Sequence, residues 1–135
     1  MNQATENYDG GCLCGAIRYK LSGPPESSTH CHCRSCQRAL GGAFATWCSA
    51  KRDNFEVIKG TIKVCETSPG VLRGFCGNCG TSLSYATKED ASGRVWFLGS
   101  TLDDPSTLAP TSHVYVSHQQ PWVKINDGLP MSKEF

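Results

Sequence analysis

Three thiols stand within six residues of this chain, in Thr29-His30-Cys31-His32-Cys33-Arg34-Ser35-Cys36, a C-x-C-x2-C run. No other stretch limits the fold so tightly. The cluster is too crowded for three independent core cysteines, and no fourth ligand is obvious beside it. A soft metal held by three thiolates with one position open is a reactive site, whereas four ligands close it.

The chain carries nine cysteines in 135 residues, an odd number that rules out complete pairing within the chain. The stretch Met1-Asn2-Gln3-Ala4-Thr5-Glu6-Asn7 is polar and lacks the apolar run of a signal peptide. A cytoplasmic protein is expected, and there thiols stay reduced, so clustered cysteines point to metal rather than to a disulfide scaffold. A net charge of +1 gives no electrostatic footing for nucleic acid, and no apolar run reaches the ~20 residues of a membrane span. The 39% apolar content suffices for one modest core, so one domain is expected. Oligomeric state is left open.

Two further cysteine pairs lie far apart: Cys12-Leu13-Cys14 and Cys76-Gly77-Asn78-Cys79. Together they offer four thiolates, the closed tetrahedral set of a structural zinc. Glycines flank both pairs, where the backbone must turn sharply around an ion. Such a site would pin an early strand to the middle of the chain, and its binding energy would become folding energy.

For Cys31, Cys33 and Cys36, spacing alone leaves two possibilities. The fourth position is open to water or a substrate thiol, or a distant ligand such as Cys48, Cys65 or His113 closes a second structural site. Alternation along an extended segment turns His32 away from a metal held by both neighbouring thiols. His32 is therefore expected beside the site or exposed, and His30 is left unassigned. Cys48 and Cys65 fall in apolar strand patterns and read as small core residues. His113 and His118 read as surface positions, exposed or hydrogen-bonded. Arg34 and Arg38, four apart beside the cluster, are candidates to hold an anionic substrate, or else are solvated counter-charges to the thiolates.

Short alternating segments recur with Gly and Pro between them, which predicts a mainly β domain with little helix. Strands are expected at 16–21, 43–48, 55–59, 61–65, 81–85, 94–98 and 113–117. Helical turns are expected at 36–40 and 103–108, and a solvated loop at 88–93. Residues 1–9 and 131–135 read as tails around a single domain at 10–130. Trp47 and Trp96 read as core or rim, and Trp122 and Val123 as residues able to pack on it.

The ordered motifs Gly10-Gly11-Cys12-Leu13-Cys14-Gly15, Cys31-His32-Cys33-Arg34-Ser35-Cys36-Gln37-Arg38 with Gly41-Gly42-Ala43-Phe44, and Arg73-Gly74-Phe75-Cys76-Gly77-Asn78-Cys79-Gly80-Thr81 resemble the glutathione-dependent formaldehyde-activating (GFA) family. Pro121-Trp122 and Asp127-Gly128-Leu129-Pro130 resemble its C-terminal signature. The resemblance implies an Mss4-like zinc-binding β-sandwich or β-tent with two zinc ions per chain. It assigns Cys12, Cys14, Cys76 and Cys79 to a structural zinc, and Cys31, Cys33 and Cys36 to a catalytic-type zinc with an open position. The implied activity is carbon–sulfur lyase chemistry, joining a small thiol such as glutathione to formaldehyde or another small carbonyl compound as an S-(hydroxymethyl)glutathione-type adduct. A non-catalytic binding module and a thiol or zinc redox sensor remain the competing expectations.

Overall fold

The expected alternation closes into ten short strands in the computed structural model, which describes residues 8–89 and 93–135. In chain order these are β1 (Asp9–Gly11), β2 (Arg18–Leu21), β3 (Ser27–Cys31), β4 (Ala45–Lys51), β5 (Phe55–Lys59), β6 (Lys63–Ser68), β7 (Val71–Phe75), β8 (Ser82–Thr87), β9 (Arg94–Leu98) and β10 (His113–Val114). Among the described residues α1 (Arg34–Leu40), between β3 and β4, is the single α-helix. It ends where Gly41 takes a left-handed conformation at φ 74°, which a Cβ would disfavour.

Two sheets result. The smaller has the order β1-β2-β5 and the larger β10-β3-β4-β9-β8-β7-β6. Neighbours run antiparallel except β10, which lies parallel to β3. The central strands β4 and β9 of the larger sheet are covered on both faces. On β4, Cys48 and Ala50 face a core shared with Tyr19, Leu21, Phe97 and Leu102. Trp47 and Ala45 face the opposite cluster with Cys31, Cys36 and Leu98. This explains why residues 43–48 read as apolar on both faces.

Tyr19 is the pivot between the sheets. Its ring stacks on Phe55 at 4.8 Å and meets Phe97 edge-on at 5.6 Å. Its hydroxyl hydrogen-bonds Thr101 Oγ1 at 2.7 Å, so burial leaves no polar atom stranded. Burying side chains of this size stabilises by roughly 1.5–3 kcal/mol each.

Several local expectations are corrected. Cys65 is exposed, because β6 is the outer strand of the larger sheet and none of its residues is covered. The helix expected at 103–108 contracts to a 3-10 turn at Pro105–Thr107. The strand at 113–117 stops after Val114: Tyr115 takes φ 57° and a 3-10 turn follows at Val116–His118. Trp122 is 67% exposed and packs on no core. Of the loop at 88–93, Asp90, Ala91 and Ser92 lie outside the described residues, as do Met1–Asn7 of the N-terminal segment.

The segments read as tails have structural partners where they are described. Asp9 belongs to β1, and the Tyr8 carbonyl accepts from the Leu21 amide at 3.4 Å. Residues 131–135 run beside Tyr115–Ser117, whose amides donate to the carbonyls of Glu134, Ser132 and Lys133. No helix among the described residues is long and apolar enough to cross a membrane.

Candidate functional site

The two cysteine pairs separated by most of the chain meet. The sulfurs of Cys12, Cys14, Cys76 and Cys79 all lie within 4.8 Å of one another. Cys12 Sγ stands 3.6 Å from Cys14 Sγ, which stands 3.9 Å from Cys76 Sγ. A tetrahedron of 2.3 Å zinc–sulfur bonds has edges of about 3.8 Å, so the spacing is that of ligands around one ion, and far above the ~2 Å of a disulfide.

Both pairs sit on similar turns. The Gly15 amide donates to the Cys12 carbonyl and the Gly80 amide to the Cys76 carbonyl, at 3.2 and 2.8 Å. Both glycines are left-handed, with φ 81° and 82°. The turns aim N–H groups at sulfur: Ile17 at Cys12, Asn78 and Cys79 at Cys76, and the Asn78 side chain at Cys14, at 3.2–3.4 Å. The hydroxyl and amide of Thr81 hold the Cys79 thiol down to about 5. Four sulfurs at this spacing can hold a metal ion.

The cluster Cys31, Cys33 and Cys36 is built differently. Cys31 ends β3, Cys33 is the residue before α1, and Cys36 lies within its first turn. Cys31 and Cys36 approach to 3.7 Å, again a tetrahedral edge. Cys33 does not complete a three-thiol group at the 4.8 Å spacing that the other set keeps. The indole N–H of Trp47 reaches Cys36 Sγ at 3.5 Å. Contact with Cys31 first, then Trp47 and Arg73, holds the Cys36 thiol down to about 6 against the opposing effect of burial. The same contact and burial push Cys31 up, so of the two it is Cys36 that ionises first.

All three thiols line a cavity of about 380 Å³. Its floor is one face of the larger sheet, read across the registers. Arg73 on β7 opposes Tyr85 on β8, Tyr85 opposes Trp96 on β9, and Thr29 on β3 opposes Trp47 on β4. Val71, Val114, Tyr115 and Phe135 complete an apolar wall. The left-handed Tyr115 is the single non-glycine residue with positive φ among those described. A conformation that costs roughly 1–2 kcal/mol is thus retained where it carries a ring to the cavity.

The arginines anticipated beside the cluster do not line this cavity; Ser35 does. Arg34 donates to Gln37 Oε1 at 3.1 Å, and both Arg34 and Arg38 are exposed. The cation that reaches the cavity is Arg73, with its guanidinium over the Tyr85 ring at 5.0 Å. Its signal lay in the strand period: Val71 and Arg73 are two apart, on one face of β7.

Behind the thiol loop lies a histidine cluster that the sequence did not reveal. His113, expected at the surface, is 3% exposed. It is covered because β10 lies against β3, pairing His113 with His30 and Val114 with Cys31. His113 Nε2 donates to Asp127 Oδ2 at 2.8 Å, and His32 Nε2 lies 2.9 Å from His113 Nδ1. The His113 contact and the Leu129 amide hold Asp127 below the usual carboxylate range, so the carboxylate is the acceptor. His32 Nδ1 is buried without a hydrogen-bond partner. Burial pushes His30 and His32 below the usual imidazole range. His32 is fully buried rather than exposed, turned from the cavity as alternation required. His30 Nδ1 lies 2.9 Å from Thr46 Oγ1. His30, His113 and Asp127 also bring ligand atoms within 4.8 Å of one another, with His113 and Asp127 at hydrogen-bond distance. His118 accepts from the Arg34 amide at 3.2 Å, and the buried Gln37 side chain donates to the carbonyls of His32 and His118. The late segment of the chain therefore braces the loop between Cys31 and α1.

Comparison with known proteins agrees with this architecture. The family model described as glutathione-dependent formaldehyde-activating enzyme matches residues 7–118. A Halomonas elongata protein, named provisionally as such an enzyme, is 30% identical over 87% of this chain and 80% of its own length. A Schizosaccharomyces pombe protein named as an uncharacterized lyase is 30% identical over 58% of this chain, a match spanning 57% of that relative. A crystal structure of a Rhodobacter sphaeroides protein superposes with a TM-score of 0.57, covering 92% of this chain and 98% of that one at 18% identity. The likeness extends the mainly β, Mss4-like fold to a solved structure. Motif order, family match and fold together assign the chain to the glutathione-dependent formaldehyde-activating (GFA) family.

Proposed function

We propose that this protein is a zinc-dependent carbon–sulfur lyase acting on a small thiol, glutathione or similar, and formaldehyde or another small carbonyl compound. The observation that carries the reading is that Cys31, Cys33 and Cys36 line a 380 Å³ cavity while the other four clustered thiols do not. In this reading Cys12, Cys14, Cys76 and Cys79 hold a structural zinc, and Cys31, Cys33 and Cys36 hold a second with one position open. At that open position zinc would supply a means of keeping a bound thiol ionised near neutral pH.

The chain's own residues bind, orient and exclude water. Trp47, Tyr85, Trp96 and Tyr115 shield the reactants. The substrate sulfur attacks the carbonyl carbon and forms the C–S bond. The π pair of the C=O bond moves to oxygen, which takes up a proton to give the hydroxymethyl thioether. The lyase direction breaks that C–S bond and returns the proton. The Tyr85 and Tyr115 hydroxyls, among the groups lining the cavity, are kept protonated by burial and are suited to face the developing alkoxide. The thiol loop is held in place from behind by His32, His113 and Asp127. A reducing compartment such as the cytoplasm suits this thiol-dependent chemistry.

Two zinc ions per chain and thiol-dependent consumption of formaldehyde above a protein-free control are expected. Cys33→Ser should keep the fold and one zinc and lose that turnover. Full activity in Cys33→Ser would sink the reading. A redox-sensor reading draws on one observation, the 3.7 Å approach of Cys36 to Cys31. There peroxide would oxidise the two thiols to a disulfide and be reduced to water, with metal loss and no carbonyl turnover.

A further inference from the structure

The lining of the cavity also bears on which thiol it takes. Its composition is uneven. Among the described residues that line it, Arg73 is the one charged side chain, and none carries a carboxylate side chain. The remainder is aromatic or apolar (Trp47, Trp96, Tyr85, Val71, Val114, Phe135), with a few hydroxyls and the three thiols. A volume of about 380 Å³ lies at the small end of ligand pockets.

Glutathione is a poor chemical match for such a lining. At neutral pH it carries two carboxylates and an ammonium group. The ammonium would meet no carboxylate side chain here, and the second carboxylate would meet no second cationic side chain. Burying either group unpaired costs several kcal/mol. A single anion, by contrast, has one partner. Arg73 stacks over the Tyr85 ring, and its guanidinium keeps a planar fork of donors suited to a carboxylate. Arg73 lines the same cavity as Cys31, Cys33 and Cys36, so an anion held by it shares that space with the thiols.

We propose that Arg73 anchors the substrate through one carboxylate, and that this cavity selects a compact thiol with a single negative charge and an apolar or aromatic body over the glutathione tripeptide. The inference rests on the lyase reading for its chemistry but not for its recognition. The thiol-bearing end meets Cys31, Cys33 and Cys36, the carboxylate meets Arg73, and the body packs on Trp47 and Trp96.

Calorimetric titration of the metal-loaded protein with non-reacting probes tests recognition directly. The probes are 3-phenylpropanoate, its neutral amide, and S-methylglutathione. Wild type should bind 3-phenylpropanoate about tenfold or more tighter than the amide, the usual worth of a charge-assisted contact. S-methylglutathione should be the weaker of the two anions. Arg73→Gln should lose the preference for carboxylate over amide, and Arg73→Lys should keep part of it. Equal wild-type affinity for carboxylate and amide, an unchanged preference in Arg73→Gln, or tighter binding of S-methylglutathione would each overturn the proposal. The wild-type comparison decides even if a variant does not fold. Formaldehyde turnover with 3-sulfanylpropanoate, 2-sulfanylethanol and glutathione then separates the two ideas. Arg73-dependent binding without turnover of any thiol leaves the recognition standing and removes the lyase reading.

Discussion

The two thiol sets of this molecule use the same ligand chemistry in opposite surroundings. Cys12, Cys14, Cys76 and Cys79 come from two similar glycine turns on distant segments, and several hydrogen bonds around them are spent on sulfur. Cys31, Cys33 and Cys36 come from one short loop, and they share an indole N–H, an arginine and a cavity. The first arrangement joins parts of the fold. The second is itself held in place by other parts, through Gln37, His32, His113 and Asp127. Saturating a metal's ligands gives stability, whereas leaving room beside them gives reactivity.

The largest expected effect separates the sets by stability. A structural zinc contributes about 10–16 kcal/mol in small domains, as much as the whole stability of most folds. Cys76→Ser should therefore abolish the cooperative thermal transition followed by circular dichroism, and Cys33→Ser should retain it. Melting temperatures within a few degrees of each other would erase the distinction drawn between the sets.

A smaller effect sharpens the account of the reactive set. Trp47→Phe removes the N–H that reaches Cys36 while keeping most of the ring volume. The Cys36 thiol should titrate above its value of about 6, read from ultraviolet thiolate absorbance with metal withdrawn from that set. Thermal stability should fall by no more than about 3 kcal/mol, the upper worth of a hydrogen bond to a charged group. An unmoved titration would show that the indole only packs.

The smallest effect concerns the brace. Asp127 has its carboxyl lowered by His113, so its stabilising contact is complete above the unfolded carboxylate value of about 3.9 and is lost as pH falls through the lower, folded value. Asp127→Asn should melt slightly below wild type near neutral pH, and the gap should close on acidification. A gap that widens in acid contradicts the assignment of the carboxylate as acceptor.

Much of this was legible in the residues. The four-thiol partition followed from spacing and glycine flanks, and the β class from alternation. The strand at 94–98 fell on β9 as expected. What failed shares a cause. Cys65 reads like a core residue because alternation reports a face, not whether anything covers it, and β6 is an edge. His113 reads as a surface residue because its cover, β3 and Asp127, is not local. Arg34 and Arg38 are near the thiols in sequence, yet α1 turns them outward, while Arg73 arrives from four strands across the sheet.

The sequence by itself determined which residues carry thiols, how they divide into a set of four and a set of three, and that short strands would present them. Those are local properties, set by spacing, side-chain period and the turns that glycine permits. Only the tertiary structure decided which set borders a cavity, which cation enters it, and what stands behind the loop. Those depend on strand order and register, which bring together residues such as Arg73 and Cys36 that no local interaction relates.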